Sequence, residues 1–89
     1  MNYYGFSNTY GIGTIDEDGQ RIGMLHVFGS RSLRQRWEDQ DSDCNEAITA
    51  SEARRILRRM VKDTTGDDVR YMGIEDLLRV AYVSNCNVW

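Results

Sequence analysis

Asp41-Ser42-Asp43-Cys44-Asn45-Glu46-Ala47-Ile48-Thr49-Ala50-Ser51-Glu52 stands between two amphipathic segments, and its reading decides what the chain is. Its last four residues, Thr49-Ala50-Ser51-Glu52, form a capping box. The threonine oxygen accepts a backbone amide of the first turn while the glutamate reaches back to the threonine amide, so two donors that a helix start leaves open are satisfied. Ile48, one residue ahead of the cap, fits as its hydrophobic staple. Asp41, Asp43 and Glu46, with Glu38 and Asp39 just upstream, are then either solvated charge on a connector or oxygen ligands on a tight loop.

Downstream of the cap, Ala53, Ile56, Leu57 and Met60 recur at helical spacing and predict an amphipathic helix over about 50–62. Thr64-Thr65-Gly66-Asp67 breaks it. Ile74, Leu77, Leu78 and Ala81 repeat the pattern for a helix over about 73–83, ended by Ser84-Asn85. Upstream, Ser30 can cap a helix over about 30–40 whose buried face carries Leu33 and Trp37. Before it, Tyr3, Tyr4, Phe6, Tyr10, Ile12 and Ile15 alternate loosely with glycine and polar residues, which suits a pleated surface. Asp16-Glu17-Asp18-Gly19 is a turn signal. Ile22, Met24, His26 and Phe28 then share one face of a strand and Leu25 and Val27 the other, as in a central strand. The expected fold is α+β: a small antiparallel sheet over residues 2–28 packed against two to three helices, as a single domain over 1–89.

The chain has 89 residues, 40% hydrophobic and 28% charged, with 11 basic and 14 acidic side chains and a net charge of −3. That is globular composition, and its acidity counts against a dedicated nucleic-acid binder. Cys44 and Cys86 belong to no Cys-x-x-Cys pair, so two free thiols in a reducing, cytoplasmic setting are expected. The start of the chain carries no basic segment followed by an apolar one, so no secretion signal is expected, and no apolar run is long enough to span a bilayer.

Two charged features are candidate sites. The first is acidic: Asp16, Glu17 and Asp18 at the turn, and Glu38, Asp39, Asp41, Asp43 and Glu46 around the second connector. Clustered carboxylates can imitate phosphate spacing and speed encounter with a basic partner. The second is basic: Arg54, Arg55, Arg58, Arg59 and Lys62 on the second helix, with Arg31, Arg34 and Arg36 nearby in sequence, could hold phosphates. Ten of the 11 basic residues are arginine, which suits bidentate contacts with carboxylate or phosphate. No catalytic set is legible. His26 is the only histidine and reads as a packed strand residue. Neither cofactor nor metal is called for, and Trp37 reads as an anchor for the first helix. Trp89 fits either a core position or a contact anchor.

Residues 41–52 also resemble the loop of the EF-hand family. Asp41, Asp43, Asn45, Thr49 and Glu52 stand at ligand positions 1, 3, 5, 9 and 12, with Ile48 at the apolar position 8. The resemblance implies a single calcium module. Glu46 stands where that family needs a glycine, and no second loop is present to pair with it. A different resemblance rests on Tyr3-Tyr4-Gly5-Phe6, on Phe28-x-Ser30-x-x-x-Arg34-x-x-Trp37, and on Glu46-Ala47-Ile48-Thr49-x-x-Glu52-Ala53. In these segments the chain resembles small accessory proteins of phages and mobile elements, including anti-CRISPR proteins. That resemblance implies a non-enzymatic inhibitor in the cytoplasm of a bacterial host. Its partner would be a host complex such as a CRISPR effector subunit, met through the acidic residues. A nucleic-acid-binding regulator using the Arg face is the alternative.

Overall fold

Tyr4, Phe6 and Asn8 alternate with Tyr3, Gly5 and Ser7, and this alternation builds strand β1 (Tyr3–Asn8). The computed structural model describes residues 2–8, 11, 15–84 and 88. The expected strand positions Tyr10 and Ile12, the helix stop at Asn85, and the readings of Cys86 and Trp89 lie outside the described residues. After β1 come β2 (Gly23–Phe28), α1 (Arg31–Gln40), β3 (Asn45–Ile48), α2 (Ala50–Thr65) and α3 (Ile74–Val83). The α+β class holds, with a three-stranded antiparallel sheet of order β2-β1-β3.

Two differences from the sequence reading concern the sheet. The central strand is β1, and β2 lies beside it with its outer side bridged at Leu25 by Val88. Apolar residues on both faces of β2 reflect helices on both sides of the sheet rather than a central position. The second difference is β3 itself, which falls inside the stretch read as a connector. It pairs Tyr4 with Ile48, Gly5 with Ala47, Phe6 with Glu46 and Ser7 with Asn45. Only Ala47 and Ile48 are apolar there, too few for an alternating signal.

The register places Tyr4, Phe6, Leu25, Val27 and Ile48 on one face. They pack with Ala53, Ile56, Leu57 and Val61 of α2, and with Leu77, Leu78 and Ala81 of α3, to make the core. Val61 is fully buried, and the expected Met60 packs only partly against this cluster. Thr49 caps α2 as read, its Oγ1 accepting the Glu52 amide at 3.2 Å. The helix ends at Gly66, whose φ of 79° is left-handed and whose amide donates to the Lys62 carbonyl at 2.8 Å. Among the described residues no helix is long and apolar enough to cross a membrane.

The opposite face of the sheet is covered by α1. Ser30 caps this helix as read, accepting the Leu33 amide at 3.2 Å. Trp37 lies over Gly5, with His26 and Phe28 at ring-centroid distances of 4.9 and 5.1 Å. Leu33 does not join it and is 49% exposed. The sheet-facing line runs instead through Arg34, Trp37 and Glu38. Arg34 donates to the carbonyls of Tyr4 and Ile48 at 3.4 and 3.3 Å, and its guanidinium lies over the Tyr3 ring. Glu38 accepts the Ala47 amide at 2.7 Å. The helix thereby satisfies backbone groups that an edge strand leaves open.

His26 packs against Trp37 and beside Phe28, and its Nε2 is buried without a hydrogen-bond partner. Burial holds its pKa below the ordinary imidazole value. As pH falls the unfolded chain takes up this proton first. Stability is therefore full above the ordinary imidazole pKa and declines as pH drops through it. The urea midpoint should fall between about pH 7.5 and about pH 5.5, a range set by imidazole titration. In His26→Phe that fall should be absent, and an equal fall in both proteins would contradict the assignment.

Candidate functional site

Because β1 and β3 are antiparallel, the turn that opens β3 lies at the end of the sheet where β1 finishes. The Cys44 carbonyl accepts both the Asn8 amide, at 2.9 Å, and Asn8 Nδ2, at 3.2 Å. The turn preceding β2 leaves from this same end, since Asn8 pairs with Gly23. The two acidic segments read from sequence, 16–18 and 38–46, are thus brought to one end of the fold.

Not all of their carboxylates are free. Asp16 Oδ1 accepts the amides of Asp18 and Gln20, both at 2.9 Å, and so builds its turn with Gly19 at φ 79°. Glu38 is held by the Ala47 amide. Glu46 is paired with Arg21. Glu17, Asp18, Asp39, Asp41 and Asp43 remain exposed. Cys44, half-buried in the second turn, has its thiol pKa raised by burial and by the neighbouring Asp41 and Asp43, which suppresses the thiolate.

Asp39 stands out energetically. Helix α1 has no acidic residue in its first turn and no basic residue in its last, where Glu38 and Asp39 sit instead. The helix dipole favours the reverse, by about 0.3–1 kcal/mol per exposed charge. The Ala47 bond accounts for Glu38. Asp39 accepts only from Gln35, at 3.0 Å, among the described residues. That i,i+4 bond offsets part of the dipole cost, about 0.2–0.5 kcal/mol.

Arg21 was not singled out by the sequence reading, yet it joins three elements. It donates to Asn8 Oδ1 from Nε and Nη2 at 3.3 and 3.1 Å, to Glu52 Oε1 at 3.0 Å, and to Glu46. Its guanidinium lies 4.6 Å from the centre of the Phe6 ring. The capping box is consequently half-made: Glu52 faces Arg21, because a charge-assisted bond outweighs a neutral amide. With Thr49 capping and Glu52 so engaged, residues 41–52 do not close around a common centre. No group of three His, Cys, Asp or Glu side chains able to hold an ion occurs among the described residues. Within the stretch compared with a calcium loop, residues 45–48 are strand β3 and Thr49 is a helix cap.

The basic residues of α2 divide. Arg54 turns toward the connection between α2 and α3, donating to the carbonyls of Met72 and Arg70 at 3.0 and 3.5 Å. It ties that connection down. Arg55, Arg58, Arg59 and Lys62 line one groove of ≈ 420 Å³ with Arg21 and Arg70, over a floor containing Ile56 and Val69. Gly19 and Gln20 of the acidic turn form part of its wall. Arg59 pairs with Asp63 at 3.1 Å, and Arg70 with Asp68 at 2.8 Å. Hydrogen bonds from Arg70 hold the Asp68 carboxyl below the ordinary carboxylate range. Arg55, Arg58 and Lys62 have no ion-pair partner among the described residues, and Arg58 Nε is buried with no hydrogen bond at all. Like charges spaced three and four residues apart on one helix each cost a few tenths of a kcal/mol, roughly. Asp63, which pairs with Arg59, and Asp68, in the field of Lys62, relieve part of that repulsion and leave Arg55 and Arg58 unpaired.

The domain is thus a three-layer sandwich, α1 over the sheet over α2 and α3, with an acidic end and a basic groove. No family model, curated protein or solved structure matches this chain.

Proposed function

We propose that the protein is a non-enzymatic inhibitor, of the anti-CRISPR kind, that binds a host nucleic-acid-binding complex in the bacterial cytoplasm. Its acidic end, with Glu17, Asp18, Asp39, Asp41 and Asp43, occupies a basic surface of that complex in place of phosphates. The observation that carries this reading is Asp39, an exposed carboxylate at the unfavourable end of α1, beside Asp41 and Asp43. Residues that break a local rule concentrate at functional sites.

The Arg face as a nucleic-acid interface has less support. Among the described residues none of the side chains lining its groove is aromatic, so they give bases no stacking platform there.

The test separates stability from binding. Asp39→Lys should raise the unfolding free energy by about 0.5–1 kcal/mol, since a cation now meets the helix C-terminus. Adding Asp41→Lys and Asp43→Lys should abolish co-purification with crRNA-loaded effector complexes while the domain stays folded. Retention equal to that of the unsubstituted protein would overturn the proposal.

A further inference from the structure

The groove on α2 is unused by the acidic end, and its chemistry is specific. We infer that it is a binding site for a small organic phosphate, with Arg55, Arg58 and Lys62 holding the phosphate and Ile56 and Val69 receiving the organic body. This inference is independent of the partner proposed above, because none of these residues belongs to the acidic end.

Four observations converge. First, Arg55, Arg58 and Lys62 share one helix face and form no ion pair among the described residues, unlike Arg21, Arg59 and Arg70; of the two carboxylates in the lining, Glu52 is taken by Arg21 and Asp68 by Arg70, with Lys62 in the field of Asp68. Second, Arg58 Nε is buried without a partner. Buried donors are nearly always satisfied, so the Arg58 side chain keeps hydrogen-bonding capacity that the chain does not use. Third, the volume of ≈ 420 Å³ lies within the usual span for small-molecule sites. Fourth, the floor is apolar, with Ile56 and Val69 both largely buried. A bare inorganic ion would leave that floor unused. Phosphate is favoured over carboxylate because it offers three acceptor oxygens and a charge near −2 to three cations. An arginine fork also matches two of those oxygens at once.

Calorimetry and thermal denaturation with defined probes test the inference: inorganic phosphate, a nucleoside monophosphate, a sugar monophosphate, and a single-stranded oligonucleotide. The expected result is that at least one organic monophosphate binds and raises Tm, with inorganic phosphate at least tenfold weaker. Arg58→Gln and Arg55→Gln should each weaken that binding tenfold or more. Arg36→Gln, on α1 and outside the groove, should leave it unchanged. Without ligand, Arg58→Gln should unfold no earlier than the unsubstituted protein, since it removes an unpaired buried donor and a like charge. If it fails to fold, the exposed Arg55→Gln still decides the matter. The inference is overturned if neither organic monophosphate binds or shifts Tm, if Arg36→Gln weakens binding as much as the groove variants, or if only the oligonucleotide binds.

Discussion

Arg21→Ala should lower the unfolding free energy by about 3 kcal/mol, leaving a domain of this size close to marginal. Three losses contribute. Asn8, only 1% exposed, keeps a bond from its Nδ2 but loses both bonds to its Oδ1. An unsatisfied buried acceptor of that kind costs about 1–3 kcal/mol. Glu46 and Glu52 lose their cation, but each is about one-third exposed, so water offsets much of that loss. The Phe6 ring loses the guanidinium stacked on it, worth about 0.5–1 kcal/mol. Arg21→Met keeps the apolar stem and should recover only a small part of the deficit. Urea denaturation of the three proteins checks this. A loss under about 1 kcal/mol in Arg21→Ala would show that these bonds are not collectively stabilising.

Gly5→Ala should cost about 2–3 kcal/mol, the upper range for overpacking a well-filled site. A β-carbon there would stand 2.6 Å from Trp37 Cη2 and closer still to Cζ3. The ring cannot swing aside, because His26 and Phe28 flank it. Nor can α1 lift freely. Asn45 Nδ2 holds the Trp37 carbonyl at 2.8 Å, and Glu38 holds the Ala47 amide. The added methyl therefore separates helix from sheet. Combining Gly5→Ala with Trp37→Leu should cost less than the sum of the two single changes, as expected of residues in direct contact. Strict additivity in denaturation experiments would place the clash elsewhere.

What could be read from the sequence was what depends on neighbours along the chain. Ser30 and Thr49 cap their helices as their spacing indicated, because a capping oxygen needs an amide only two or three residues away. The Asp16–Gly19 turn and the strip Arg55, Arg58, Arg59 and Lys62 were legible for the same reason. Strand β3 was not. Its identity comes from the ladder with β1 and from Glu38 and Arg34 on its backbone, all distant in sequence. Leu33 was misplaced because Arg34, not an apolar residue, takes the sheet-facing position at the start of α1. Arg21 gave no signal, since one arginine beside a turn has no periodicity to betray its partners. Of the acidic residues, composition showed all eight alike. Only the fold divides Asp16, Glu38 and Glu46, spent on local bonds, from those left exposed.

The acidic end and the groove together give the domain a polarity that its net charge of −3 conceals. A phosphate bound over Arg55, Arg58 and Lys62 would cancel the groove's field and leave the acidic end dominant in long-range encounter. The decisive measurement is displacement: labelled target DNA on a crRNA-loaded effector complex is titrated with the protein and with its Asp39→Lys, Asp41→Lys, Asp43→Lys form. Release of DNA by the first, more weakly as DNA concentration rises, and none by the second is the expected result. Binding to the complex with the DNA left in place, or equal release by both, would contradict the claim that these carboxylates stand in for phosphates.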